Sequence, residues 1–295
     1  MQHLASGILL DSVRGMHWPA RRVTRGAFQG GHRSRRVGSS PEFMQYREYR
    51  QGDEPSKIDW KLAARTGRVA VRQTHDDSNF RTSILLDASA SMAYPPTTLD
   101  KWNMAAAVAF GLCAVAQGDR DPVGIAVATG DDLQILPPRA RMSTAANVLG
   151  LLSNTTPAGS RALAPVLTML RTSNRIAIVS DFLGDAEALL EVAKEMVASG
   201  REVFAVHIVA RDELEPRDVG SLVIDPEEDT IRRPLDDAGV VEYKAAFARW
   251  REELAASWRA AGAVYHLAVT DDAAERVIRT VVTPTATAAD TPAAS

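Results

Sequence analysis

The chain has one cysteine, Cys113, among its 295 residues. That excludes an internal disulfide and any zinc site built on several thiolates of one chain. Cys113 lies in an alanine-rich run of helical character and reads as a small core residue. No apolar run approaches the ~20 residues that a membrane-spanning helix needs. The start MQHLASGILLDSVRG lacks the basic beginning and small-residue cleavage site of a signal peptide. The expected compartment is the cytoplasm. Aromatic residues make up only 6% and do not interleave with the arginines, so a stacking platform for nucleic acid is not expected. The common catalytic signatures are also missing. There is no HExxH, no GxSxG, and no GK[ST] after the pair Gly30-Gly31. The six histidines are scattered, and His207 and His266 lie in apolar runs and read as core residues.

What is present is an ordinary globular balance, 45% hydrophobic with a formal net charge of −3. The charge is unevenly spread. Residues 1–76 carry 12 Arg and 2 Lys against 7 acidic residues, which leaves the remainder clearly acidic. Such asymmetry suits a basic module docked on an acidic one or on an acidic partner, and less often a nucleic-acid surface.

Residues 1–80 show little helical periodicity and are punctuated by Gly30, Gly31, Gly38 and Gly52. They read as a basic, β-rich, Gly- and Arg-rich region, with GRVAVRQT as a strand. From Thr82 the pattern becomes regular. TSILLDAS and RIAIVSDF are short apolar runs suited to strands buried on both faces. PVGIAVAT, LQILPP, EVFAVHIV and AVYHLAVT are further strands, and SLVIDPEEDTIRR reads as a hairpin. Helices are expected over 101–117, with Asp100 as cap and Gly118 as stop, and near 144–152, 161–171, 186–199, 240–260 and 272–280. Tyr243, Phe247, Trp250, Leu254 and Trp258 form an aromatic-rich stripe at helical spacing and read as core. The predicted fold class is α/β, a mainly parallel, doubly wound, Rossmann-like sheet over residues 81–282. Residues 283–295 read as a disordered tail.

Open parallel sheets bind ligands at the carboxyl ends of their strands, near a switch in strand order. Asp87 and Asp181 each close a predicted strand. Beyond Asp87 come Ser89 and Ser91, and the loop SNTTPAGS offers Ser160, with Thr155 and Thr156 nearby. One carboxylate and two hydroxyls suit a hard divalent cation, which takes six oxygens in octahedral geometry when it is Mg²⁺. Such a set leaves the shell incomplete, open to water or to a carboxylate from outside. The plainer alternative is that Asp87 and the serines are turn and cap residues.

The pattern resembles the metal-ion-dependent adhesion site of von Willebrand factor A domains. Asp87, Ser89 and Ser91 match its Asp-x-Ser-x-Ser element and Asp181 its later aspartate. Gly159-Ser160 stands where that family usually has Gly-Thr, and Phe182 stands where a glycine commonly follows the aspartate. A second block, REYRQGDEPSKIDWKLAAR, resembles the signature of the bacterial domain-of-unknown-function 58 family. Arg47, Tyr49, Gly52, Asp53, Ile58, Asp59, Trp60, Ala64 and Arg65 fit it, while an Arg often found just before Ile-Asp-Trp is absent. On physical grounds Trp60 is expected to be buried, and Arg47, Asp53, Asp59 and Arg65 to form ion pairs.

These resemblances imply a von Willebrand A-like domain with a metal centre at Asp87, Ser89, Ser91, Ser160 and Asp181, holding Mg²⁺ or else Mn²⁺ or Ca²⁺. With no catalytic set assembled, the reading is a non-enzymatic, metal-dependent interaction module that grips a partner's carboxylate. The family resemblance implies an adaptor or co-chaperone role beside a MoxR-type AAA+ ATPase, the partner being that ATPase and/or an acidic client protein. Two other readings stay open, a Mg²⁺-dependent phosphoester hydrolase and an RNA-binding A-type module using Arg33, Arg35 and Arg36.

Overall fold

A computed structural model of the chain describes residues 6–21, 43–48, 60–66, 70–74, 80–140, 144–216, 222–224, 232–234 and 237–283. The chain divides into two compact units, Met1–Arg21 with Phe80–Ser295, and Arg22–Asn79. The expected tail beyond Thr283, which itself follows the last helix, and the basic cluster Arg33, Arg35 and Arg36 lie outside the described residues.

The first helix, α1 (Ser6–Val13), belongs to the large unit. In the small unit, strand β1 (Phe43–Glu48) and strand β2 (Ala70–Thr74) pair antiparallel, with Arg47 opposite Val71, and helix α2 (Trp60–Thr66) lies between them in sequence. β2 falls inside the expected strand GRVAVRQT. Trp60 is not buried as expected but 64% exposed. It opens a seven-residue helix, and helical side chains lean back over the preceding turn, which a first residue does not have. Arg65 is exposed in the last turn of α2. Tyr49, Gly52, Asp53, Ile58 and Asp59 lie outside the described residues, and with them the expected ion pairs of that block.

The large unit continues with β3 (Thr82–Asp87), α3 (Asp100–Gly118), β4 (Val123–Ala128), β5 (Leu133–Arg139), α4 (Thr144–Ser153), α5 (Leu163–Met169), β6 (Arg175–Ser180), α6 (Ala186–Ala198) and β7 (Glu202–Val209). A short helix α7 (Arg211–Leu214) follows. Then come the hairpin of β8 (Leu222–Ile224) and β9 (Arg232–Pro234), the long α8 (Asp237–Ala260), β10 (Val264–Val269) and α9 (Ala274–Val282). Six strands form one sheet in the order β10-β7-β6-β3-β4-β5, parallel except for β5, which pairs antiparallel on β4. The fold class is therefore α/β with a mainly parallel sheet, as the sequence predicts.

The apolar runs explain why the sheet is covered on both faces. Successive strand side chains point to opposite sides. Ile84 and Leu86 pack with residues of α3, α4 and α9, while Leu85 between them packs with residues of α5, α6 and α8. A strand buried this way cannot alternate with polar residues, and β3, β4, β6 and β7 do not. α3 is buried on almost every side, and its alanines and Gly111 let it lie close. A Cβ on Gly111 would stand 2.2 Å from Ile278 Cδ1 of α9. Cys113 sits within this helix fully buried, its thiol pushed up to about 12 by that burial.

Three local expectations are corrected. Asp100 is not the cap of α3 but its first residue. The cap position is Leu99, at φ 55°, with no side-chain hydrogen bond, and Asp100 contributes its charge in the first turn. α8 begins at Asp237, three residues earlier than expected, and α5 is shorter than the predicted 161–171. The boundary expected at residue 80 also leaves out the start of the chain. Val13 and Trp18 are buried in the core formed by α3 and α9, although nothing in the periodicity of the first 21 residues announces it.

Candidate metal centre

The strand order places the predicted aspartates. From β3 the chain runs outward through β4 and β5, then returns to the other side of β3 with β6 and runs outward again through β7 and β10. The switch in direction falls between β3 and β6, the place in open α/β sheets where ligands bind beyond the strand ends. Leu86 is in register with Val179. Asp87 and Ser180 are therefore next to each other at the strand ends, and Asp181 follows.

The contacts are specific. Ser180 donates its hydroxyl to Asp87 Oδ2 at 2.6 Å, and the backbone N–H of Ser89 donates to Asp87 Oδ1 at 2.9 Å. Ser89 and Ser91 hold their hydroxyl oxygens 3.0 Å apart, Ser91 lying in a 3-10 turn over residues 90–92. Asp87 is 6% exposed. Burial first, and the charge of Asp181 second, raise its carboxyl above the ordinary range. Two carboxylates that feel each other at these buried strand ends make it costly to ionise both.

The loops are stitched by backbone bonds. Ala90 N–H donates to Gly159 O at 2.7 Å, Ala158 N–H to Ala88 O at 2.9 Å and Gly130 N–H to Ala158 O at 2.8 Å. Gly130 and Gly159 meet so closely that a Cβ on either would stand 2.6–2.7 Å from the other's Cα, and Gly159 has φ 64°. This brings the Gly159-Ser160 backbone to the Asp-x-Ser-x-Ser loop. Ser160 itself is exposed, whereas Thr155 is buried and turns its hydroxyl back onto Leu151 O at 2.9 Å. The structure thus gathers Asp87, Ser89 and Ser91 with Asp181 close behind, and sets Ser160 at the rim.

Phe182 explains how the chain does without the glycine common at its position. Its φ of 54° is left-handed, a region that costs a bulky residue. The Ser180 hydroxyl accepts its N–H at 2.9 Å, and its ring lies 5.6 Å from that of His207 and 5.2 Å from that of Trp258. The stripe of α8 expected to be core supplies this support, but only Leu254 and Trp258 are buried, while Tyr243, Phe247 and Trp250 are half-buried. Trp258 is fully buried, and Trp250 meets His207 edge-on. His207 is a core histidine as expected. Its Nδ1 lies 2.6 Å from the Tyr265 hydroxyl, and burial pushes it down to about 3. His266 is buried too and pushed down to about 4, but its Nε2 has no hydrogen-bond partner.

Sequence reasoning missed two residues. Lys101, in the first turn of α3, is 1% exposed and donates from Nζ to Asp181 Oδ2 at 2.7 Å and to Glu213 Oε1 at 3.0 Å. Glu213, on α7, also accepts the N–H of Ala210 at 2.6 Å. A lysine at a helix start opposes the helix dipole, and that mismatch was the available signal.

Among the described residues no three or more His, Cys, Asp or Glu are gathered as a metal cluster. The candidate set is a mixed one, carboxylate and hydroxyl. It fits a hard divalent cation in that its donors are all oxygens. Of its two aspartates, Asp181 is paired with the Lys101 ammonium, while Asp87 is held by the Ser180 hydroxyl and the Ser89 N–H.

A family described as Protein of unknown function DUF58 matches residues 45–253 of the chain. The uncharacterized protein Rv1480 of Mycobacterium tuberculosis is 27% identical over 264 residues, 86% of this chain and 83% of its own length. Among solved structures, BatB from Bacteroides thetaiotaomicron is 17% identical, with a TM-score of 0.44 over 68% of this chain and 96% of that one. A von Willebrand factor type A protein from Catenulispora acidiphila is 10% identical, with a TM-score of 0.37 over 73% of this chain and 42% of that one. Among the described residues no helix is long and apolar enough to cross a membrane.

Proposed function

The chain belongs to the DUF58 family, and we propose that it is a non-enzymatic protein-interaction module that binds a partner's carboxylate through a divalent cation of the Mg²⁺ type. The observation that carries this reading is the convergence of Asp87, Ser89 and Ser91 at the end of the central strand, with buried Asp181 beside them. Asp87, Ser89 and Ser91 would hold the ion, with Asp181 behind them and Ser160 at the rim. A bound Mg²⁺ supplies open coordination positions that an external carboxylate can take. The residues of the chain do the rest. Ser180 fixes one oxygen of Asp87, and the Ser89 N–H fixes the other, so the carboxylate presents a single orientation. Glu213, the remaining acid nearby, is bound by Lys101 and by a backbone N–H, which favours binding over hydrolysis.

The partner implied by the family resemblance is a MoxR-type AAA+ ATPase, with this chain as adaptor or co-chaperone in the cytoplasm. The test uses the full chain as bait, with a purified MoxR-type ATPase and with cell extract, in Mg²⁺ and in EDTA. Wild type should capture its partner only with Mg²⁺, and Asp87→Ala should lose both Mg²⁺ binding and capture while keeping its circular dichroism spectrum. Capture that persists in EDTA overturns the reading.

A further inference from the structure

Lys101 stands where an ordinary helix would not place it. Its ammonium is buried at the positive end of α3. A compact, strongly hydrated cation is costly to bury, and here it is matched by Asp181 Oδ2 at 2.7 Å and Glu213 Oε1 at 3.0 Å. The two carboxylates hold its positive charge inside the protein. The consequence falls on Asp181. Its Oδ2 accepts from Lys101 at 2.7 Å and its Oδ1 accepts the N–H of Leu183 at 3.2 Å, so each oxygen already has a donor within the chain. Among the described residues, Asp87, Ser89 and Ser91 carry no such competing cation in their contacts.

We propose that Lys101 is a built-in counter-cation that competes with the metal for Asp181 and thereby sets how tightly the centre binds a divalent ion. The proposal rests on the metal-centre reading above and deepens it. With the ammonium in place Asp181 is neutralised, the ion is held mainly by Asp87, Ser89 and Ser91, and its remaining positions stay open to a partner. Without Lys101, Asp181 would turn its charge on the ion and the centre would close on it. Lys101 is a positioning residue in this scheme, because it acts through Asp181.

The test is calorimetric titration of Mg²⁺ into the full chain as wild type, Lys101→Met, Asp181→Asn and the double variant, with Asp87→Ala as reference. Lys101→Met should tighten Mg²⁺ binding about tenfold, the scale of one nearby charge at partial screening. That gain should vanish when Asp181→Asn is added, an interdependence that general loss of packing does not produce. Should Lys101→Met fail to fold, Lys101→Met with Glu213→Gln leaves Asp181 as the one carboxylate that has lost its counter-ion. Mg²⁺ should then raise its melting temperature more than it raises that of wild type. A folded Lys101→Met that binds Mg²⁺ no more tightly, or a gain that survives Asp181→Asn, overturns the role of Lys101 while the loss in Asp87→Ala keeps the centre. Undiminished Mg²⁺ binding by Asp87→Ala overturns the centre itself.

Discussion

His207 shows how a single buried side chain ties the core to the site. Its ring packs against Phe182, Trp250 and Tyr265, and its Nδ1 lies 2.6 Å from the Tyr265 hydroxyl. Burial holds its pKa near 3, so it is neutral in the folded chain and titrates near 6.5 when unfolded. A depressed pKa means stability that is present above about pH 6.5 and lost as pH falls toward about 3. Acidification to pH 4 should cost on the order of 3 kcal/mol through this residue alone. His207→Phe should flatten the fall in melting temperature between pH 7 and pH 4, measured by calorimetry, and an unchanged slope would count against the assignment. Asp87, Ser89, Ser91 and Asp181 were legible at this scale, because strand ends and oxygen side chains are both visible in sequence. Lys101 was not, because its partners lie 80 and 112 residues away.

Among the elements, the loops that frame the site depend on close backbone approach. Gly130 has an ordinary backbone conformation, so its substitution tests crowding alone. A Cβ there would meet Gly159 Cα at 2.6 Å, well inside contact distance. Gly130→Ala should cost about 1–3 kcal/mol by urea denaturation, the range for forced overpacking, and should weaken Mg²⁺ binding by separating the 158–160 loop from Ala88 and Ala90. Helices and strands between 82 and 282 were readable because each has one dominant period and clear stops. Boundaries slipped where tertiary contacts do the capping. Leu99 starts α3 in a left-handed conformation that no capping residue signals, and α1 has a short, weakly patterned sequence that packing against α3 and α9 stabilises.

Over the whole molecule, the core of the large unit is discontinuous in sequence. Arg175, at the amino end of β6, is fully buried with its guanidinium 4.4 Å from the ring of Trp18 and 4.6 Å from that of Phe80. It pairs with Glu202 at 3.2 Å and lies 3.7 Å from Asp121, whose carboxyl burial pushes up to about 7. Backbone N–H groups of Trp18 and Arg21 donate to Asp119 and Glu202, closing the segment over this end of the sheet. Trp18→Ala should cost about 3–5 kcal/mol in chemical denaturation, as large aromatic deletions do. A chain starting at Phe80 should melt at a lower temperature than the full chain. The sequence by itself determined the α/β class and the strands that end in Asp87 and Asp181, because apolar period and turn residues are local properties of the chain. Only the tertiary structure decided that residues 6–21 complete the core, that Ser160 stands at the rim and that Lys101 holds Asp181. Those outcomes depend on which distant side chains share a buried, weakly screened space, and burial is a property of the folded chain as a whole.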